Sequence, residues 1–212
     1  MARSTKYLHL HGSAVAGTGI SHNLIADAVA HAHRILDEID DKLLEVGSER
    51  LGGIVELANL SAILGNIFAA GVAARSGGRF TRNKPHNYPD LLANKTGLRG
   101  VEVKVSLEQN PPKGHLAKEG LHLICRYVLV QDDLSLDPES RGVRAAIWEV
   151  RFGLLKKHHY NISNTAGDSG KTAVVNAAGM MALVPVYFAP ELCPYGKASK
   201  TYKRYMEMVS SS

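Results

Sequence analysis

The spacing of apolar residues changes once along this chain, and that change limits the fold more than any other feature. Within residues 21–46, Leu24, Ile25, Ala28, Ile35, Leu36, Ile39 and Leu43 recur at helical spacing with acids between them, and Gly47 supplies a stop. After the Gly52-Gly53 break, residues 54–74 read as a second, more apolar helix. From residue 101 the period becomes two: Val101, Val103 and Val105 alternate with Glu102, Lys104 and Ser106, a strand with its valines on one face. Residues 121–130 (LHLICRYVLV) and 145–152 (AAIWEVRF) are further strand candidates, separated by a polar loop containing Asp132, Asp133 and Asp137. Residues 171–180 are expected to form a short helix, and 182–188 a late strand whose Pro185 suggests a sheet edge. Helices first, then a strand cluster, then helix and strand predict an α/β layer fold with helices flanking a central sheet. No internal repeat or low-complexity linker divides the chain, so one domain is expected over residues 1–212, helical over about 20–75 and sheet-forming over about 79–190.

Composition narrows the functional classes. A chain of 212 residues with 45% hydrophobic content can build a substantial core, which argues against disorder. Two cysteines, Cys125 and Cys193, are too few for a secreted disulfide scaffold, and Cys125 falls in an apolar run that reads as buried strand. The N-terminal residues lack a sustained apolar stretch of the secretory kind, and residues 54–74 carry Glu56, Asn59, Ser61 and Asn66 among their small residues. A buried core helix, no membrane span and a reducing cytoplasm are therefore expected. The net charge of +5 and pI of about 9.2 favour a polyanionic partner. The charge is concentrated: residues 75–118 hold nine Lys or Arg against three acids, a local balance of +6. Such a segment suits a phosphate backbone, although a solvated basic loop has the same composition.

Inside that segment lies YPDLLANKTGLRGVEVKV, residues 88–105. A second short apolar run at 88–92 precedes turn residues at 94–100, so an antiparallel hairpin is expected to bring Asp90 toward Glu102. The two carboxylates with Lys104 would make a pocket for a hard, oxygen-loving divalent cation. A Glu-x-Lys alone carries little information, and the rival reading is an ordinary hairpin with charges on its wet face. Pro89-Asp90 followed by Glu102-Val103-Lys104 resembles the PD-(D/E)xK nuclease superfamily and its type II restriction endonucleases. The resemblance implies a restriction-endonuclease-like core, in which a helix precedes a mixed sheet carrying the motif. It also implies Mg²⁺ held by Asp90 and Glu102 with the Val103 carbonyl as a further ligand, Lys104 acting on the attacking water, and a homodimer cutting both strands of duplex DNA at a short specific sequence. Some members add an acid from the preceding helix; Glu56 is best placed here, though an acid at a helix start also has a purely electrostatic reason to be there. A repair or junction-resolving nuclease of the same fold and a non-catalytic DNA-binding protein are the alternatives.

Candidate DNA contacts are Arg82, Lys84, Asn87, Lys113 and His115 in the basic segment, and Asn164, Ser169 and Lys171 in a stretch rich in short hydrogen-bonding side chains. The acidic helix at 21–46 is a candidate pairing surface, since its acids would repel DNA. GDSGKT at 167–172 fails as a phosphate loop, because the Walker pattern needs Gly where Thr165 stands. None of the histidines, among them His9, His11, His31, His33, His158 and His159, has a zinc-like partner spacing, and the two-residue step from His31 to His33 favours surface positions. Residues 194–205 interleave Tyr with Lys and Arg, as a phosphate clamp or a solvated tail would.

Overall fold

The computed structural model describes residues 7–137, 139–163 and 172–210. Chain order runs β1 (Leu8–His9), α1 (Gly12–Val15), α2 (His22–Glu45), α3 (Leu51–Ile54), α4 (Leu57–Arg75), β2 (Phe80–Arg82), β3 (Leu91–Ala93), β4 (Val101–Leu107), β5 (Lys113–Gly114), β6 (Gly120–Val130), β7 (Arg144–Leu155), β8 (Tyr160–Ser163), β9 (Thr172–Val175), α5 (Ala177–Ala182), β10 (Val184–Phe188) and α6 (Lys200–Ser210). Seven strands form one mixed sheet in the order β1-β10-β7-β6-β4-β3-β2, and β5, β9 and β8 form a second, small sheet. The β4–β6 pair is parallel; the other pairings are antiparallel. The molecule is thus an α/β protein, as the change of period predicts.

The two long helices form for local reasons and then pack. Ser21 caps α2 by accepting from the Leu24 amide at 3.2 Å. Leu24, Ile25, Ala28, Val29, Ala32 and Leu36 are buried against α4 and the sheet, and α4 contributes Leu60, Leu64, Phe68 and Val72 to the same core. By length and composition α4 alone among the described helices is apolar enough to cross a membrane, but its fully buried leucines belong to this core. On the sheet the valine face of β4, with Leu123 and Cys125 of β6 and Val150 and Phe152 of β7, closes that layer. The opposite face carries Glu102, His122, Ile124 and Arg126, and a smaller cluster of Ile124, Leu155, Val175 and Leu183 seals it against β9 and α5.

Gly52 and Gly53 lie within α3 and do not break structure; a Cβ on Gly52 would sit 2.3 Å from the Val143 carbonyl oxygen, so the glycine permits a close approach of chains. Residues 172–175, expected to be helical, form β9, because Thr172, Val174 and Val175 suit a strand that pairs with both β5 and β8. His33 is buried, only 4% exposed, and its Nε2 accepts from the Ile147 amide at 2.8 Å, beside the bulge where Trp148 is skipped in the β6–β7 register. Replacing His33 with Leu removes that acceptor and should cost about 1–3 kcal/mol of stability, measurable by urea denaturation.

Candidate active site

The hairpin that carries the motif is built as the turn residues predict, with Leu91 of β3 facing Val101 of β4. Asp90 sits just before β3, and two bonds from Asn83 fix its backbone: the Asn83 amide donates to the Asp90 carbonyl at 2.8 Å, and Nδ2 donates to the Pro89 carbonyl at 2.9 Å. Gly100 lets the strands close, since a Cβ there would stand 2.4 Å from Pro89 Cγ. The result is a direct link across the hairpin, with the Val103 amide donating to Asp90 Oδ2 at 2.8 Å. A residue's N–H and C=O leave a strand by the same edge, so the Val103 carbonyl opens toward Asp90 as well.

Glu102 points to the other face of β4 from the valines, as expected, but that face is not wet. Its side chain has no solvent exposure. The solvated-hairpin reading required an exposed carboxylate, and it fails because the segment joining β4 to the parallel β6 passes over this face and adds β5 to the small sheet. Oε1 of Glu102 accepts from Lys104 Nζ at 2.5 Å and from Lys118 Nζ at 2.7 Å. Oε2 is buried with no hydrogen-bond partner. Burial would raise the Glu102 carboxyl, but Lys104 and then Lys118 outweigh it and hold it below the usual carboxylate range. Asp90 goes the other way: burial raises it, the Val103 amide opposes, and the neighbouring Glu102 raises it further. The two carboxyls are therefore unlike, one held ionised by its lysines and one holding its proton more tightly.

Asp90, Val103 and Lys104 line a cleft of about 550 Å³, and three of the expected phosphate contacts, Arg82, Lys84 and Lys113, line it with them. Arg82 Nη2 donates to Asn66 Oδ1 of α4 at 2.8 Å, which fixes one wall. Asn87 and His115 are exposed and lie outside the lining. Asn164, Ser169 and Lys171 lie outside the described residues. Glu56 is exposed at the N-cap of α4 and does not reach the cleft; α4 turns Ser61, Gly65 and Asn66 toward it.

Four residues that sequence reasoning did not single out complete the surroundings. Lys118 figures in the sequence only as one more basic residue, and it reaches Glu102 from the turn before β6. Its ammonium also lies 5.0 Å from the centre of the Tyr88 ring. The Tyr88 hydroxyl donates to the Glu119 carbonyl, and the Tyr160 hydroxyl donates to the Lys118 carbonyl at 2.7 Å, so this turn is tied down on both sides. His122, register partner of Glu102, sits 2.9 Å by Nδ1 from the Gly120 carbonyl and 3.2 Å by Nε2 from Tyr160 Oη. A carbonyl only accepts, so Nδ1 carries a proton. Burial lowers the His122 imidazole below its usual range.

The candidate donors here are all oxygens. No group of three or more His, Cys, Asp or Glu among the described residues could hold a metal, which leaves two carboxylates and a backbone carbonyl. Magnesium commonly binds through one or two carboxylates and completes its shell with water and phosphate oxygens. The unpartnered Glu102 oxygen is a further reason that the residues fit such an ion. Neither a scan against protein-family models nor a search of curated proteins gives a match to this chain.

The ion cluster is testable without any ligand. Glu102→Gln strands two lysine ammoniums beside a neutral amide; with those lysines about a quarter exposed, the expected loss is about 2–3 kcal/mol. That loss should shrink when Lys118→Met is already present, and a double-mutant cycle by urea denaturation measures the difference.

Proposed function

We propose that this chain is a magnesium-dependent endonuclease of the restriction type, hydrolysing phosphodiester bonds of duplex DNA at a short specific sequence, with a core of the restriction-endonuclease kind. The observation that carries the reading is the grouping of Asp90, Glu102 and Lys104, with Asp90 and Lys104 lining a basic cleft and Glu102 buried behind it with one oxygen lacking a partner. The order of helix, motif hairpin and mixed sheet supports it, being the order that the superfamily resemblance implies.

The reaction adds water across a phosphodiester and breaks the bond from phosphorus to the 3′ oxygen. Asp90 and Glu102, with the Val103 carbonyl, would hold Mg²⁺, which when bound lowers the pKa of a water and offsets charge on the phosphate. Lys104, held by Glu102 at 2.5 Å, orients the attacking water and balances negative charge as it builds. Arg82, Lys84 and Lys113 line the approach and would take the backbone phosphates on either side of the scissile bond. A homodimer would place two such clefts on the two strands, with the acidic α2 as the candidate pairing surface. The free, buried Cys125 fits a cytoplasmic setting.

Incubating the protein with plasmid and Mg²⁺ tests the reading: discrete fragments are expected. A smear would move the assignment to a nonspecific or repair nuclease, and intact plasmid would leave a binding protein. Asp90→Ala and Lys104→Ala should each lower turnover about 10²-fold or more with the fold retained by circular dichroism. DNA affinity should also fall steeply with salt, with a log-log slope near roughly −5 for six phosphate contacts.

A further inference from the structure

Glu102 is served unevenly. Both lysine ammoniums fall on Oε1, at 2.5 Å and 2.7 Å, while Oε2, equally buried, has none. Lys104 belongs to the motif strand, and its stem runs beneath Gly114, whose added Cβ would lie 3.6 Å from Lys104 Cε. Lys118 is placed differently. It comes from the segment before β6, and its ammonium touches Glu102 and at the same time rests over the face of the Tyr88 ring, 5.0 Å from the ring centre. A lysine held by a carboxylate and an aromatic face together keeps one partner when the other is engaged elsewhere.

We infer that Lys118 is a built-in counter-cation of this site, which neutralises Glu102 in the metal-free protein and opposes the entry of a divalent cation. This rests on the reading of Asp90 and Glu102 as a metal-holding pair. With both acids ionised, the two carboxylates and two ammoniums form a quartet of zero net charge. The pocket can therefore be buried and ordered before any ion arrives. The same balance has a consequence for loading: an ion reaching Oε2 stands within a few ångströms of an ammonium already on Oε1 of the same carboxylate, where like charges repel. Lys118 then sets the ion concentration at which the site fills, and the Tyr88 ring remains a partner of its ammonium when an ion draws on Glu102.

The experiment is calorimetric titration of Mg²⁺, and separately of Mn²⁺, into the protein without DNA. Lys118→Met should bind either ion about tenfold more tightly than the wild type, and Lys118→Arg, which keeps the charge, should stay within about twofold of it. The melting temperature of metal-free Lys118→Met should fall, because Glu102 loses one of its two partners, and its rise on adding Mg²⁺ should exceed the wild-type rise. Lys118→Gln serves as a second neutral variant if the methionine protein does not fold. Unchanged or weaker ion binding in the neutral variants, with wild-type binding abolished by Asp90→Asn, would overturn the role of Lys118 and leave the metal pair standing. An absence of Asp90-dependent binding in the wild type would overturn both.

Discussion

A carboxylate without access to water is one of the costliest groups to fold around, and Glu102 is such a group at the centre of this molecule. Its burial follows from one topological choice, the parallel pairing of β4 with β6. Parallel neighbours cannot be joined by a tight turn, so the chain must leave the sheet and return. Here the returning segment crosses the face that Glu102 occupies. It brings Lys118 to the carboxylate, places β5 in the small sheet and shelters the lysines from solvent. Most of what distinguishes the site descends from that crossing.

The same sheet face solves the problem a second time, farther along β6. Glu149 of β7 is fully buried between Arg126, at 2.9 Å, and Arg151, at 2.8 Å, and the Tyr205 hydroxyl of α6 donates to it as well. Burial, followed by the charge of Glu149, keeps that hydroxyl protonated well above its ordinary range. Arg126 in turn lies 4.9 Å from the centre of the Trp148 ring, within an aromatic group that includes Phe188 and Tyr195. One acid with two cations recurs at both places. The far one lies at the root of the C-terminal helix, while the near one adjoins Asp90 and a cleft.

How much of this was legible depended on range. Periodicity gave α2 within a residue at each end, and it gave β4, β6 and β7, because helical and strand spacing are properties of neighbours in sequence. The meeting of Asp90 and Glu102 was legible for the same reason, with a short turn between them. What lay beyond reach was whatever covers a face. The valine alternation told which way Glu102 points but not that β5, β8 and β9 roof it over, since those strands are drawn from distant segments that look like loop or helix in isolation. Lys118 was one basic residue among nine until the crossing segment delivered it. His33 was misplaced because its partner is an amide of β7, far along the chain, whose exposure to α2 arises only at a bulge.

The large sheet is closed off at both margins by very short strands, two residues of β1 on one side and three residues of β2 on the other. Among the described residues, a neighbouring polypeptide seeking to extend the sheet finds only a few backbone groups on these marginal strands, and on β2 it meets the cation of Arg82. Ribbon-like growth of the sheet from one molecule to the next is thereby discouraged. Self-association of this protein is channelled toward side-chain surfaces, where shape and charge can select one geometry, and away from the open-ended stacking that leads to fibres.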